Sequence, residues 1–244
     1  MKLKDWLDRW REGNIGWHQN EGNKGLQQYW PKLPNSSRVL VPLCGKTVDM
    51  AWLNRKGMDV TGVEISATAA KTFDGVDTIA CMAATLTQRL DVVDLPEEDW
   101  DNTLRVNLTG SFLVCKHGIP LLRKAGGGSI ILTASQMGQV AWPGSTAYCT
   151  TKGGILQLVK GIALDHKDEN IRCNSISPGG VATGRLLARW GDMETAEKEW
   201  GPKHALGRLG RPSEIAAGAV FLASDESSFM TGADLLLDGG YTAW

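Results

Sequence analysis

The chain has 244 residues, 42% hydrophobic and 22% charged, with a formal net charge of −1 and a pI near 6.4. That length can bury the core of one large α/β domain or two small ones. The near-neutral balance argues against a nucleic-acid or anionic-membrane partner, and no apolar run reaches the ~20 residues of a membrane-spanning helix.

Leu3, Trp6, Leu7 and Trp10 recur at helical spacing, so a short amphipathic helix is expected first, stopping near Gly13. The opening MKLKDWLDRW is charged and lacks the apolar core of a signal peptide, which points to a cytoplasmic protein. A polar stretch leads to an expected second helix through Leu26 and Trp30, closed by Pro31 and Pro34. Val39–Val41 reads as a buried strand. A helix over roughly 47–56 follows, with Gly57 as its left-handed cap, and then a strand at Val60–Ile65.

The ten residues 66–75 have room for one short helix only. DTIACMAA (77–84) reads as a strand, 96–125 as a long helical stretch and SIILTAS (129–135) as a strand. A long helix over 145–166, a strand CNSISP (173–178), a helix over 213–223 and a last strand ADLLLDGG (233–240) complete the series. Between them, 184–207 is polar with spaced Leu and Trp. Alternating apolar strands and helices predict a three-layer, doubly wound parallel sheet of the α/β class, one Rossmann-like domain over 1–244. Five scattered cysteines (Cys44, Cys81, Cys115, Cys149, Cys173) form no CxxC, and the four histidines are equally scattered. Reduced thiols are expected, with no disulfide and no metal site.

The second half carries a constellation. Asn107 lies in RVNLTGSF, and Ser135 ends the strand SIILTAS. Tyr148 and Lys152, four apart, share one helix face, and SPGGVATG follows the next strand. Open α/β sheets place ligands at the carboxyl ends of their strands. A carbonyl that receives a hydride needs a proton, and a phenol with a pKa near ~10 is a poor base at neutral pH. A neighbouring ammonium stabilises the phenolate, and a hydroxyl such as that of Ser135 can hold the carbonyl oxygen. Asn107 can link Lys152 to water for proton resupply.

With SPGG and the terminal GRPSEIAAGAVFLASDESSFMTGADLLLDGG in the same order, the chain from about Asp74 to Trp244 resembles the short-chain dehydrogenase/reductase family. The resemblance implies a catalytic set of Asn107, Ser135, Tyr148 and Lys152, with Lys152 also touching the cofactor. It further implies that Val181 and Thr183 meet the nicotinamide carboxamide of NAD or NADP, and that 184–207 forms a substrate lid. Cys81-Met82-Ala83-Ala84 stands where the family has an NNAG-type motif, so Ala83 and Ala84 are expected beside the cofactor. Association as a dimer or tetramer, through the helices at 96–125 and 145–166, is implied in the same way.

The family's opening T-G-x-x-x-G-x-G is absent. Residues 1–66 instead resemble thiopurine-methyltransferase-type enzymes in WLDRWREGNIGWHQ, RVLVPLCGKTVDMAWLNRKG and VTGVEIS. That resemblance implies S-adenosylmethionine against Leu43, Cys44 and Gly45, its ribose on Glu64, and Trp6, Trp10 or Trp17 closing over it. Physically, a diphosphate needs several backbone N–H groups at close approach and hence several glycines, whereas PLCGKT holds one. Adenosylmethionine has no phosphate and suits that turn better. Glu64 serves the ribose of either cofactor.

The expectation is an engineered chimera: a methyltransferase-like βαβ segment with N-terminal helices over 1–66, a junction at 67–75 and a dehydrogenase-like remainder over 76–244. Its first-half sheet edge should be one strand shorter than in the dehydrogenases. Two functions compete: binding of S-adenosylmethionine or a related adenosine ligand with little turnover, and NAD(P)-dependent oxidoreduction of an alcohol or carbonyl. Methyltransfer is disfavoured, because the acceptor-binding segments of that family are missing. A small molecule is the expected partner in every case.

Overall fold

A computed structural model describes the backbone of residues 38–42 and 59–63, and residues 76–86, 88–184, 186 and 190–243. Among the described residues, six strands form one parallel sheet: β1 (Arg38–Pro42), β2 (Asp59–Val63), β3 (Thr78–Cys81), β4 (Gly128–Thr133), β5 (Ile171–Pro178) and β6 (Asp234–Leu237). The order across the sheet is β2-β1-β3-β4-β5-β6. Chain order reverses between β1 and β3, in register at Leu40 and Ile79. The crevice at the carboxyl ends of these two strands is where such sheets take a ligand.

Three layers follow from the strand sequences. In β4, Ile130, Ile131 and Leu132 are all buried, as expected of a strand covered on both faces. Ile130 and Leu132 join Ile79, Cys115, Ile119, Leu122, Ile155 and Val159 in one core. Ile131 points the other way, into a core with Ile176, Ile215 and Leu222. The first core is closed by α2 (Gly110–Ala125) and α3 (Thr146–Asp165), the second by α5 (Pro212–Ala223). Helix α2 stops at Gly126, whose φ of 86° is the left-handed conformation that only glycine adopts without strain.

The predicted doubly wound α/β sheet is observed, with local corrections; the last strand, expected over 233–240, spans only Asp234–Leu237. The strand expected over 77–84 ends at Cys81, whose pairing with Leu132 is the last between β3 and β4; Met82 to Ala84 then leave the ladder. The helical stretch over 96–125 is not continuous. Helix α1 (Glu97–Thr103) passes into a π-helical turn, Leu104–Thr109, before α2 begins. Within the polar 184–207 segment, α4 spans Met193–Trp200, capped by Asp192, whose carboxylate accepts from the Thr195 amide at 2.7 Å. The helices expected within 1–37 and 47–56, and the 67–75 junction, lie outside the described residues.

Candidate active site

The π-helical turn sets the first site residue. Its extra backbone residue rotates Asn107 inward, where it is fully buried. The Asn107 carboxamide makes three hydrogen bonds. Its Oδ1 accepts from the Thr85 amide at 2.7 Å, and its Nδ2 donates to the Thr85 carbonyl at 3.1 Å and to Thr151 Oγ1 at 3.2 Å. The side chain thus clamps the segment leaving β3 to the helix that carries Tyr148 and Lys152. Thr151 Oγ1 in turn donates to the Tyr148 carbonyl at 2.8 Å.

Lys152 is the largest fully buried side chain of the described residues. Its Nζ donates to the Thr133 carbonyl at 2.6 Å, at the end of β4, and lies 5.6 Å from the centre of the Tyr148 ring. Two residues beyond Thr133, Ser135 caps the 3-10 turn Gln136–Gly138, its Oγ accepting from the Met137 amide at 3.1 Å. That turn packs directly on α3: a Cβ at Gly138 would stand 2.8 Å from the Lys152 carbonyl oxygen. The Asn107 clamp, the Ser135 turn and the helix segment of Tyr148 and Lys152 thus come together at the carboxyl ends of β3 and β4.

Ala83 is exposed and Ala84 half-buried where the chain leaves β3. Beyond β5, Gly180 and Ala182 bond Gly210 on either side of Val181: the Gly210 amide donates to the Gly180 carbonyl at 2.8 Å, and the Ala182 amide donates to the Gly210 carbonyl at 2.9 Å. By the alternation of a parallel ladder, the amide and carbonyl of Val181 itself face away from Gly210. Thr183 is exposed two residues on. Leu43, Cys44, Gly45, Glu64, Trp6 and Trp10 lie outside the described residues.

The 184–207 segment supplies an aromatic wall. Trp200 is buried edge-on against Trp142, with ring centres 5.0 Å apart, and against Tyr241 at 5.8 Å. Met137, Tyr148 and Trp190 belong to the same cluster. The ammonium of Lys203 stands 5.4 Å from the Trp142 ring and 5.8 Å from the Trp200 ring. Burial raises the Tyr241 phenol above its ordinary range. Burial, with Cys81 nearby, pushes the Cys115 thiol to about 12, and burial raises Cys173 likewise, so both stay protonated within the core. Among the described residues no cluster of His, Cys, Asp or Glu could hold a metal, and no helix is long and apolar enough to cross a membrane.

Sequence reasoning missed Thr85, Thr151 and Gly138. Only the glycine had a readable signal, three residues after the strand-end serine.

Residues 59–242 match the family described as Enoyl-(Acyl carrier protein) reductase, and residues 1–93 match Thiopurine S-methyltransferase. D-threitol dehydrogenase of Mycolicibacterium smegmatis is 38% identical over 185 residues, 75% of this chain and 70% of that one. Dehydrogenase/reductase SDR family member 6 of Danio rerio is 35% identical over 193 residues, 78% of each chain. An NAD-dependent glycerol dehydrogenase of Listeria innocua is 40% identical over 150 residues, 61% of this chain and 58% of that one. In fold, the chain is similar to ligand-free aldohexose dehydrogenase of Thermoplasma acidophilum, with a TM-score of 0.74, 24% identity and coverage of 86% of this chain and 95% of that one. Joined to a methyltransferase-like beginning, the chain belongs across residues 59–242 to the short-chain dehydrogenase/reductase family.

Proposed function

We propose that the protein is an NAD(P)-dependent oxidoreductase that interconverts an alcohol and its carbonyl compound. The observation that carries this reading is the buried Lys152 ammonium, held by the Thr133 carbonyl and standing 5.6 Å from the Tyr148 ring. A cation so placed stabilises the Tyr148 phenolate. Tyr148 then accepts the hydroxyl proton of the bound alcohol, while the Ser135 hydroxyl donates to the same oxygen and holds it in place. Asn107 keeps the Tyr148 and Lys152 turn in register with the β3 exit. Its carboxamide holds Thr85 and Thr151, and a link from Asn107 through water to Lys152 for proton resupply belongs to the same reading.

The nicotinamide end of a dinucleotide fits the described residues. The amide and carbonyl of Val181 form no hydrogen bond among them and face away from Gly210, a donor and an acceptor side by side, which is what a carboxamide requires. Val181 and Thr183 would hold that end, and Ala83 and Ala84 would flank the cofactor at the β3 exit. When bound, the cofactor supplies the hydride acceptor. Relatives named for D-threitol and glycerol dehydrogenation support an alcohol as substrate. The aromatic wall of Trp142, Trp190 and Trp200 would close over it. Association of copies through α2 and α3, which expose Phe112, Leu113 and Leu164, belongs to the same reading.

A second reading has one specific support, the thiopurine-methyltransferase match over 1–93. S-adenosylmethionine or a related adenosine ligand would sit against Leu43, Cys44, Gly45 and Glu64, under Trp6 or Trp10. In that reading the chain is a designed fusion that binds the ligand with little turnover. An assay of NAD- and NADP-linked oxidation over a panel of polyols and cyclic alcohols, with Tyr148→Phe as control, tests the first reading. Turnover abolished by the substitution supports it, and no turnover on any substrate with either cofactor counts against it.

A further inference from the structure

His204 has no part in the chemistry above, yet both of its ring nitrogens are committed. The side chain is 2% exposed. Its Nε2 accepts from the Gly180 amide at 3.0 Å, and its Nδ1 lies 3.0 Å from the Trp200 carbonyl. An accepting Nε2 leaves the proton on Nδ1, where it donates to Trp200. The ring also lies 5.5 Å from that of Tyr241 and 6.4 Å from that of Trp200. Gly180 must be glycine for this approach, because a Cβ there would stand 2.9 Å from His204 Cε1.

We infer that His204 is a positioning residue that fixes the loop 179–182 and ties it to the aromatic wall. The loop is held on two sides, by His204 at the Gly180 amide and by Gly210 at the Gly180 carbonyl and Ala182 amide. With both sides fixed, the peptide groups of Val181 keep one orientation. Without the His204 acceptor, Gly180 has a buried N–H with no partner, and the loop would turn to find one. The same ring reads the seating of Trp200, so the wall over the substrate and the loop proposed to face nicotinamide share one strut. Its consequence for cofactor binding rests on the oxidoreductase reading; its effect on the loop does not.

Two substitutions separate the two bonds. In His204→Gln, Oε1 stands near the position of Nε2 and can still accept from Gly180. In His204→Asn, the amide stands near Nδ1 and keeps only the Trp200 bond. Gly180 amide exchange, followed by NMR on the full chain without cofactor, should be at least about tenfold faster in the Asn variant than in wild type, and within about threefold of wild type in the Gln variant. The NADH dissociation constant should follow the same order, about tenfold weaker for Asn and little changed for Gln. Equal Gly180 exchange in the two variants would overturn the inference, as would faster exchange in Asn with unchanged NADH affinity. Wild-type protein that binds neither NADH nor NADPH would sink the oxidoreductase reading, and the exchange comparison would still decide the strut. Should both variants fail to fold, the wild type decides it: scalar coupling across the Gly180 N–H to His204 Nε2 is expected, and a proton on Nε2 would contradict it.

Discussion

Lys152 Nζ and the Thr133 carbonyl oxygen lie 2.6 Å apart, binding the helix of the Y-x-x-x-K pair to the last residue of β4, two residues before Ser135. One hydrogen bond thus fixes the ammonium under the Tyr148 ring and sets the distance between α3 and the serine turn. Lys152→Met keeps the apolar stem and removes the charge. Alcohol oxidation is expected to fall by about 10²–10⁴-fold at neutral pH, with part of the loss recovered at alkaline pH, where the phenol ionises unaided. A pH–rate profile of the variant that matches wild type in shape and size would contradict this.

Asn107→Ala removes the clamp between the β3 exit and α3. The Thr85 amide and carbonyl and the Thr151 hydroxyl all lose a partner, so unfolding free energy should drop by about 2–4 kcal/mol in urea titration. A drop below about 0.5 kcal/mol would mean that water replaces the carboxamide without cost.

Gly138→Ala places a Cβ 2.8 Å from the Lys152 carbonyl oxygen, which is backbone and cannot swing aside. The turn bearing Ser135 must then lift off α3. Stability should fall by about 1–3 kcal/mol, and turnover by about tenfold or more, as the serine moves from its place. Wild-type kinetics in the variant would show that the serine turn is not held by this contact.

Glu169 accepts from Arg123 at 2.6 and 2.7 Å and lies 3.2 Å from His166 Nδ1. The Arg123 hydrogen bond, with a further one from His166, pulls its carboxyl down to about 2. A depressed folded-state pKa stabilises the fold above the unfolded value of 4.5 and loses that contribution as pH falls toward 2. The pair is solvated, so the effect is small. Glu169→Gln should lower the melting temperature slightly at pH 7, with the gap narrowing below about pH 4.5 and closing only near pH 2. A gap that widens on acidification would reverse the sign and refute the assignment.

Much of this site is written in local spacing. Tyr148 and Lys152 meet because four residues make about one helical turn, and Ser135 is legible as the hydroxyl at the end of an apolar strand. Asn107 could be placed on a helix but not aimed, since one residue of π-helical slip turns its side chain inward and leaves no mark in composition. Its partners Thr85 and Thr151 are 22 and 44 residues away, and such contacts have no local period to betray them. The end of strand β3 is hidden from the sequence for a similar reason. Met82 to Ala84 are as apolar as the strand before them, but Thr85 is drawn to Asn107 and takes the chain out of the ladder. His204 lies in an unremarkable polar run; its Trp200 partner is four residues away, but only the return of 200–210 beneath Gly180 gives it the other.

The web around Lys152 is proposed to act with a bound nicotinamide dinucleotide. Calorimetric titration of the full chain with NADH, NADPH and S-adenosylmethionine in parallel tests it most directly. Saturable binding of NADH or NADPH, lost or weakened when Lys152 is replaced by Met, is the expected result. Saturable binding of S-adenosylmethionine with no heat from either dinucleotide would contradict it.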